Sequence, residues 1–375
     1  MSQDITLTVD YHDRNCVIRR LELTARREQL LAEVPTTHAD LTRTLDQACR
    51  DAGPQGRVIW IQESTTGWAR VQGLTASRAE FLLANVLQMP LPPKARRRKT
   101  DKVDTARIQR EYLAGTLPLA HQPPAGWRQL RRLVTYRENL VNRQTAIRNW
   151  INRYLAHETW HDRTGLWSKA GQRRLRTLLP ELARTDQLVI EAKLDELTRL
   201  EEGLGQLLVE FVAAHGACPE AKRLDAIAGI GVVSSVSIVA RIGPIERFRN
   251  AEALISYAGL APGVQQSDST RRDGHLGGGG TDRHLRHYLI EASVWARGLP
   301  RYNATYERTR KRRGAKVGRL VVARMILRSI YKVLRDGVEF DPNGASTEAK
   351  VTEAKVSKAR AKAKDQVTKE VTTAR

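Results

Sequence analysis

The most constraining feature of the sequence is the run RVIWIQE at residues 57–63, which is nearly all apolar until it ends at Glu63. A strand with one face in water alternates between apolar and polar residues, whereas an apolar run of this kind is typical of a strand buried on both faces. Before it come the β-branched segment ITLTVD, which ends at Asp10, and the segment NCVIRRLELT, which favours the second half of a hairpin. Helical spacing over residues 40–52 separates these strands from RVIWIQE. This mixture predicts an α/β domain over residues 1–125.

Two later segments carry the spacing of long packed helices. Apolar residues recur at steps of three and four over residues 128–156 and again over residues 180–212. A partner helix, from this chain or from another, would complete the core between them. We therefore predict a domain of long packed helices over residues 126–216, followed by a mainly helical domain over residues 217–340.

The charge of the chain points to a polyanionic partner. Lysine plus arginine number 63 against 41 aspartate plus glutamate, which gives a net charge of +22. Such a balance favours DNA or RNA as the partner. The sequence shows no apolar run of membrane-spanning length and no signal-peptide pattern, and its three cysteines form no CxxC pair. We expect a reduced, cytoplasmic protein.

Four carboxylates stand where a nuclease of the RNase H kind would use them. Asp10 and Glu63 end predicted strands, and Asp101 and Asp104 share one face of a helix that is predicted to begin near residue 100. Clustered carboxylates suit Mg²⁺, and two such ions stabilise the attacking and leaving oxygens in phosphodiester chemistry. The alternative is that Asp101 and Asp104 cap the helix and pair with neighbouring cations, for which the chain offers Arg98, Lys99 and Lys102.

The segment HETWH at residues 157–161 matches the H-E-x-x-H pattern of zinc metalloproteases. The pattern needs to lie inside a helix so that both histidines face the same way. The residues DRTG follow at once and favour the end of the helix. We therefore interpret the match as a chance one.

The region after residue 224 contains a glycine turn and a polar loop. The turn Gly229-Ile230-Gly231 resembles a helix-hairpin-helix module, in which backbone N–H groups hold a DNA phosphate, but a plain helix connection fits it equally well. The loop GVQQSDSTRR carries Ser267 and Ser269 beside two arginines that would neutralise a phosphate. The candidate nucleic-acid contacts are glycines and cations, namely Arg96, Arg97, Arg98, Lys99, Gly229, Gly231, Arg271, Arg272, Arg310, Lys311, Arg312 and Arg313.

Taken together, these motifs resemble the DEDD-type insertion-sequence transposases, also called bridge recombinases, which include the Piv-type DNA invertases. The resemblance rests on ESTTGW at Glu63, on KTDKVDTARI at Asp101 and Asp104, and on FRNAEALISYAGLAPGVQQS, which ends at Ser267. It covers most of residues 1–340. It implies an RNase H/RuvC-like N-terminal domain, a coiled-coil middle and a C-terminal transposase domain.

The resemblance also assigns roles to residues. It implies that Asp10, Glu63, Asp101 and Asp104 bind Mg²⁺ and that Ser267 forms a covalent bond to DNA. It further implies that a structured guide RNA pairs with target and donor DNA, and that each active site combines two subunits of a dimer or tetramer.

Some positions depart from the family pattern, and other functions stay open. The loop after Glu63 is one residue longer, Asp13 competes with Asp10, and four glycines replace a polar turn at residues 277–280. The tail at residues 341–375 has few large apolar residues, which predicts disorder. The alternatives are a metal-dependent nuclease of the junction-resolving kind, without serine chemistry, and a non-catalytic nucleic-acid-binding relative.

Overall fold

The computed structural model divides the chain into two compact units, Met1–Gln122 and Pro123–Arg375. The structure describes residues 3–65, 67–90, 101–157, 164–261, 263–267, 270–274 and 281–344. The first unit contains a mixed α/β sheet and the second is mostly helical. The predicted order of fold classes along the chain is therefore confirmed. The RuvC-like and coiled-coil assignments stay predictions, as do the three predicted boundaries between the domains and the tail.

The first unit is built on a five-stranded sheet in the order β3-β2-β1-β4-β5. Strands β1, β2 and β3 form an antiparallel meander, and β1, β4 and β5 run parallel to one another. The strands are β1 (Ile5–Tyr11), β2 (Asn15–Glu22), β3 (Arg27–Pro35), β4 (Val58–Glu63) and β5 (Glu80–Ala84).

Helices cover both faces of this sheet. On one face, side chains of α1 (His38–Ala52) and α2 (Trp68–Thr75) share a core with Val9 and Trp60. On the other face, Ile108 of α3 (Asp101–Leu113) packs with Ile59 and Ile61. Residues 58–61 are buried on both faces, as their continuous apolar pattern predicts, and Gln62 is buried with them.

Three elements of this unit were not predicted from the sequence, namely β3, α2 and β5. Strand β3 lies at the edge of the sheet and has the mixed sequence REQLLAEVP. An edge strand has a neighbouring strand on one side only, so its residues do not need to be mainly apolar. Strand β5 is only five residues long and follows the short helix α2. Strand β1 also continues one residue beyond Asp10, to Tyr11.

The second unit begins with the two predicted long helices, α4 (Ala125–His157) and α6 (Arg184–Ala217). They run antiparallel, because Arg137 lies over the ring of Phe211 while Lys193 lies over the ring of Trp150. One core fills the space between the end of α4, the start of α6 and the short helix α5 (Lys169–Leu178). Because His157 is the last residue of α4 and residues 158–163 lie outside the described part, the H-E-x-x-H pattern lies largely outside it too.

The rest of the second unit forms a larger helical core. Its elements are α7 (Pro219–Leu224), α8 (Val232–Ile242), α9 (Ala251–Tyr257), β6 (Gly263–Ser267), β7 (Thr270–Gly274), α10 (Arg283–Ala296), α11 (Pro300–Arg313) and α12 (Ala315–Asp336). Helix α12 lies in the middle of this core, and most of its apolar side chains are buried. No helix in the described ranges combines the length and the apolar character that a bilayer-spanning segment needs. The tail predicted to be disordered lies almost wholly beyond the described residues.

Candidate active site

Two of the four predicted acids lie at neighbouring strand ends. Strands β1 and β4 are parallel, and their register pairs Val9 with Gln62. Asp10 and Glu63 are the next residues along these strands. Since side chains alternate between the faces of a strand, Asp10 lies opposite the face of Val9, and Glu63 shares the face of Ile61. Both carboxylates therefore belong to the face of the sheet that α3 covers.

Helix α3 brings a third acid to the same face. Its side chains Thr105 and Ile108 are buried, and Arg19 on β2 contacts the Thr105 hydroxyl with its Nε at 3.5 Å. Asp104 is partly buried and lies one turn before Ile108, on the inward side of the helix. The fourth acid, Asp101, is the first residue of α3, and its side chain lies outside the described part of the chain.

The charges around Asp10 are unusual for the interior of a sheet. Asp10 is only 5% exposed, and His12 Nε2 lies 3.5 Å from Asp10 Oδ1. Burial raises the pKa of the nearby Cys16 thiol to about 12, and the charge of Asp10 contributes to that rise. Burial also disfavours the charged form of Arg19 and therefore lowers its pKa. A carboxylate at such a depth needs positive partners, because an unpaired buried charge is costly.

These acids fit a magnesium site in their chemistry. Carboxylate oxygens are the ligands that Mg²⁺ prefers, and three of the four predicted acids occupy one face of the sheet. Among the described side chains, no three histidine, cysteine, aspartate or glutamate residues come close enough to hold a metal ion. The Asp101 side chain is not among these described side chains. The metal-binding roles of the four acids therefore stay predictions.

Ser267 lies in the second unit, at the end of a two-stranded hairpin. Strands β6 and β7 pair from Gly263 opposite Gly274 to Ser267 opposite Thr270, so that Ser267 is the last paired residue before the turn. Arg271 and Arg272 follow on β7. The side chains of these residues, and all of Ser269, lie outside the described part. Strand ends beside a turn suit a nucleophile that must reach a bulky substrate.

The glycine turn has a structural role in this fold. Gly229 has a φ of +84°, and a Cβ at this position would lie 2.9 Å from the backbone of Ala292 in α10. Gly231 precedes α8, and its N–H donates to Ser234 Oγ at 2.8 Å. Only glycine fits the first position, whereas Gly231 has open space around it. Phosphate binding by this turn stays a prediction.

Besides Arg271 and Arg272, the predicted basic contacts fall into two groups. Arg96, Arg97, Arg98 and Lys99 lie outside the described residues. The second group is exposed in the last turn of α11, where the positive charges also suit the negative end of the helix dipole, and consists of Arg310, Lys311, Arg312 and Arg313. Arg310 also pairs with Glu307 at 2.8 Å.

A buried polar cluster in the second unit was not predicted from the sequence. Glu138 on α4 pairs with Arg241 on α8, and Arg241 Nη1 lies 3.7 Å from Asp282 Oδ2 before α10. The exposed fractions of these three side chains are 7%, 12% and 9%. The available signal was the position of Glu138, which is four residues after the buried Val134.

Comparison with known proteins assigns both units to one family. Residues 9–158 match a family model described as a DEDD transposase of the IS110 type, and residues 221–307 match the model described as "Transposase IS116/IS110/IS902 family". The first match covers the three described acids, and the second covers the serine hairpin.

Two relatives support this assignment. The transposase for insertion sequence element IS1111A of Coxiella burnetii is 23% identical over 193 residues, which are 49% of this chain and 51% of the relative. An uncharacterised protein of the IS110 insertion element of Streptomyces coelicolor is 28% identical over 158 residues, which are 42% of this chain and 39% of the relative. This chain thus matches about half the length of such relatives or less. Over residues 9–158 and 221–307, which together are more than half of the chain, the protein is similar to the DEDD transposases of the IS110/IS116 family.

Proposed function

We propose that this protein is a DNA recombinase that moves an insertion element by cutting and rejoining DNA through a covalent serine–DNA intermediate. The observation that carries the proposal is the common face shared by Asp10, Glu63 and Asp104 inside the region that matches a DEDD transposase. The position of Ser267 at the end of the hairpin supports its assignment as the nucleophile.

The proposed reaction keeps the number of phosphate ester bonds constant. Ser267 Oγ forms a bond to the phosphorus, and the bond from phosphorus to one sugar oxygen breaks. The serine proton goes to a base, and the leaving sugar oxygen takes up a proton. In the second step a sugar hydroxyl of another strand attacks the phosphoserine, and the serine oxygen leaves. No external energy source is needed, because each step exchanges one phosphate ester for another.

The acids and arginines have separate roles in this proposal. Asp10, Glu63, Asp101 and Asp104 hold Mg²⁺, which supplies charge stabilisation to the attacking and leaving oxygens when it is bound. Arg271 and Arg272 stand on β7 beside the end of the hairpin and neutralise the phosphate.

The net charge of +22 supports a substrate with several nucleic-acid strands. We propose that target DNA, donor DNA and a structured guide RNA bind together, with base pairing rather than side chains choosing the sequence. The serine and the acids lie in different units of the chain. A homo-oligomer in which one copy supplies the acids and another supplies the serine is consistent with this separation.

A covalent-capture assay tests the proposal. The protein is incubated with element-end DNA, the flanking non-coding RNA and Mg²⁺, and protein that stays attached to DNA is detected after denaturation. We expect attachment with the native chain and with Ser269→Ala, and none with Ser267→Ala. DNA binding with neither attachment nor strand breakage under any of these conditions would leave a non-catalytic nucleic-acid-binding protein.

A metal-dependent nuclease without serine chemistry is the second candidate. It is favoured because the acids lie together on one face of the α/β unit, and the serine lies in the other unit. Acids that bind a metal ion can cut DNA with metal-activated water and need no serine. Cleavage that survives Ser267→Ala but is lost in Asp104→Asn would support this candidate over the recombinase.

A further inference from the structure

The segment that carries the serine hairpin is tied to the helical core at both of its ends. Before the hairpin, Arg286 donates to the carbonyl of Gly259 at 3.3 Å, and Arg324 donates to the carbonyl of Leu260 at 2.7 Å. Strand β6 begins three residues later, at Gly263. After the hairpin, the described chain resumes at Thr281 and enters α10.

Tyr257 and Asp282 join these two ends directly. The Asp282 N–H donates to the carbonyl of Tyr257 at 2.7 Å, and the Tyr257 hydroxyl lies 3.4 Å from Asp282 Oδ2. Asp282 also caps α10, because its Oδ1 accepts from the N–H groups of His284 and Leu285. The two chain ends that support the hairpin therefore meet at one residue pair.

This pair is connected to the long helix α4 through Arg241. The Arg241 guanidinium reaches from α8 to Asp282 on one side and to Glu138 and Thr135 of α4 on the other. Arg131, one helical turn before Thr135, donates to the carbonyls of Ala240 and Arg241 at 3.2 and 2.7 Å. The cluster is almost fully buried, so its ion pairs are only weakly screened by water.

We propose that Asp282, Arg241 and Glu138 are positioning residues that hold the base of the serine hairpin in the orientation needed for attack on DNA. The inference rests on the proposed role of Ser267. A two-stranded hairpin has little stability of its own, so its direction depends on how its base is held. A misplacement of about 1 Å at a nucleophile lowers a rate by about a hundredfold.

Two variants and one control test this role. They do not remove whole side chains, because deletion of one partner of a buried ion pair is strongly destabilising. Asp282→Asn removes the charge that faces Arg241 but keeps a residue that caps helices equally well. Tyr257→Phe removes one hydroxyl from the same base. The matched control is Glu252→Gln, which neutralises an exposed carboxylate of α9 that pairs with Arg328 at 2.9 Å, away from the hairpin base.

The measurement is the single-turnover rate of covalent attachment at saturating DNA, together with the DNA concentration that gives half of maximal binding and the melting temperature. We expect Asp282→Asn to lower the attachment rate by about tenfold or more and Tyr257→Phe by about threefold, with half-saturation changed by less than about twofold. Glu252→Gln is expected to match the native protein in rate and in binding.

The outcomes separate the inference from the proposed function. If the native protein forms no attachment that depends on Ser267, the proposed function fails and the inference falls with it. If the native protein attaches normally and both variants match it, only the inference is overturned. A rate loss that is matched by weaker DNA binding also overturns it, because that result indicates general destabilisation. If Asp282→Asn does not fold, the result for Tyr257→Phe decides.

Discussion

The two units hold their chemical groups in different ways. In the first unit, Asp10 and Glu63 end adjacent parallel strands of a sheet that is covered on both faces, and a packed helix carries Asp104. In the second unit, Ser267 ends a two-stranded hairpin, and the helical core holds the residues at its base. A metal site needs ligands at fixed positions, whereas a nucleophile that exchanges DNA strands must be able to extend to the DNA. Under the proposed function, the acids are held on a packed sheet and helix, whereas the serine is carried on a two-stranded hairpin.

The largest effect expected from this contrast is at the serine. Ser267→Ala removes the only atom able to form the proposed bond, so we expect covalent attachment to fall by about a thousandfold or more. Attachment is measured on denaturing gels with labelled DNA.

The control for this change is Ser269→Ala, two residues along the chain, which should keep native attachment. If Ser269→Ala abolishes attachment while Ser267→Ala does not, the assignment of the nucleophile is wrong.

The acid site should be nearly as sensitive. Asp104→Asn keeps the shape of the side chain but removes a negative oxygen ligand, so we expect cleavage to fall by about a hundredfold and Mg²⁺ dependence to shift to higher concentration. Cleavage is titrated with Mg²⁺, and removal of the metal with a chelator should stop the reaction.

Glu111→Gln, on the same helix, is the matched control, because Glu111 bonds instead to the Thr116 hydroxyl at 2.8 Å near the helix end. Equal losses in both variants would indicate damage to α3 and not loss of a metal ligand.

The rigidity of the acid site depends on the core beneath it. Ile108 is 1% exposed and packs α3 onto Ile59 and Ile61, so Ile108→Ala should destabilise the first unit by about 2–5 kcal/mol. Urea unfolding, followed by hydrogen exchange of the β4 amides, measures the change.

Leu113, at the end of the same helix, is 54% exposed, and Leu113→Ala should change the unfolding free energy by less than about 1 kcal/mol. A small effect of Ile108→Ala would show that α3 is not packed firmly enough to hold Asp104 in a fixed position.

The glycine turn of the second unit offers a paired test of structure against binding. Gly229→Ala meets the Ala292 backbone at 2.9 Å and requires a positive φ, so it should destabilise the unit by about 1–3 kcal/mol. Gly231→Ala meets nothing within 4 Å and should cost less than about 1 kcal/mol.

Thermal unfolding and DNA affinity are measured for both variants. Weaker DNA binding by Gly231→Ala with unchanged stability would support a phosphate contact at this turn, and unchanged binding would leave the turn a plain connection.

The smallest expected effect concerns Cys16, which packs in the core on the face of the sheet opposite the acids. Because burial raises the pKa of its thiol to about 12, almost none of it is thiolate at pH 8, and the thiolate is the form that reacts. We expect iodoacetamide at pH 8 to modify Cys49 and Cys218 well before Cys16, as measured by peptide mass spectrometry, and Cys16 to react only as the pH rises towards 12. Early modification of Cys16 would mean that the sheet around Asp10 opens readily.

The sequence predicted those parts of the molecule whose patterns are local. Strand β4 is apolar on both faces, and α4 and α6 carry long stripes at helical spacing, so burial and length were visible in the residues themselves. Strand β3 was missed because an edge strand needs no apolar alternation. The gathering of Asp10 with Glu63 depended on strand order, which the sequence suggested only through the strand-end positions of these acids.

The cluster at the hairpin base could not be predicted, because Glu138, Arg241 and Asp282 come from α4, from α8 and from the cap of α10. Glu138 alone fits the solvated face of a long helix. Its burial depends on Arg241, more than a hundred residues later, and on the cap residue Asp282. Sequence patterns describe single elements, whereas a buried ion pair is a property of how elements pack.

The most direct test of the central claim is to identify the residue that carries DNA after the reaction. Native protein is reacted with element-end DNA, guide RNA and Mg²⁺, the complex is digested with nuclease and protease, and the modified peptide is sequenced by mass spectrometry. We expect a nucleotide phosphate on Ser267 within the β6–β7 hairpin. A nucleotide on any other residue, or cut DNA with no protein attached, would contradict the account.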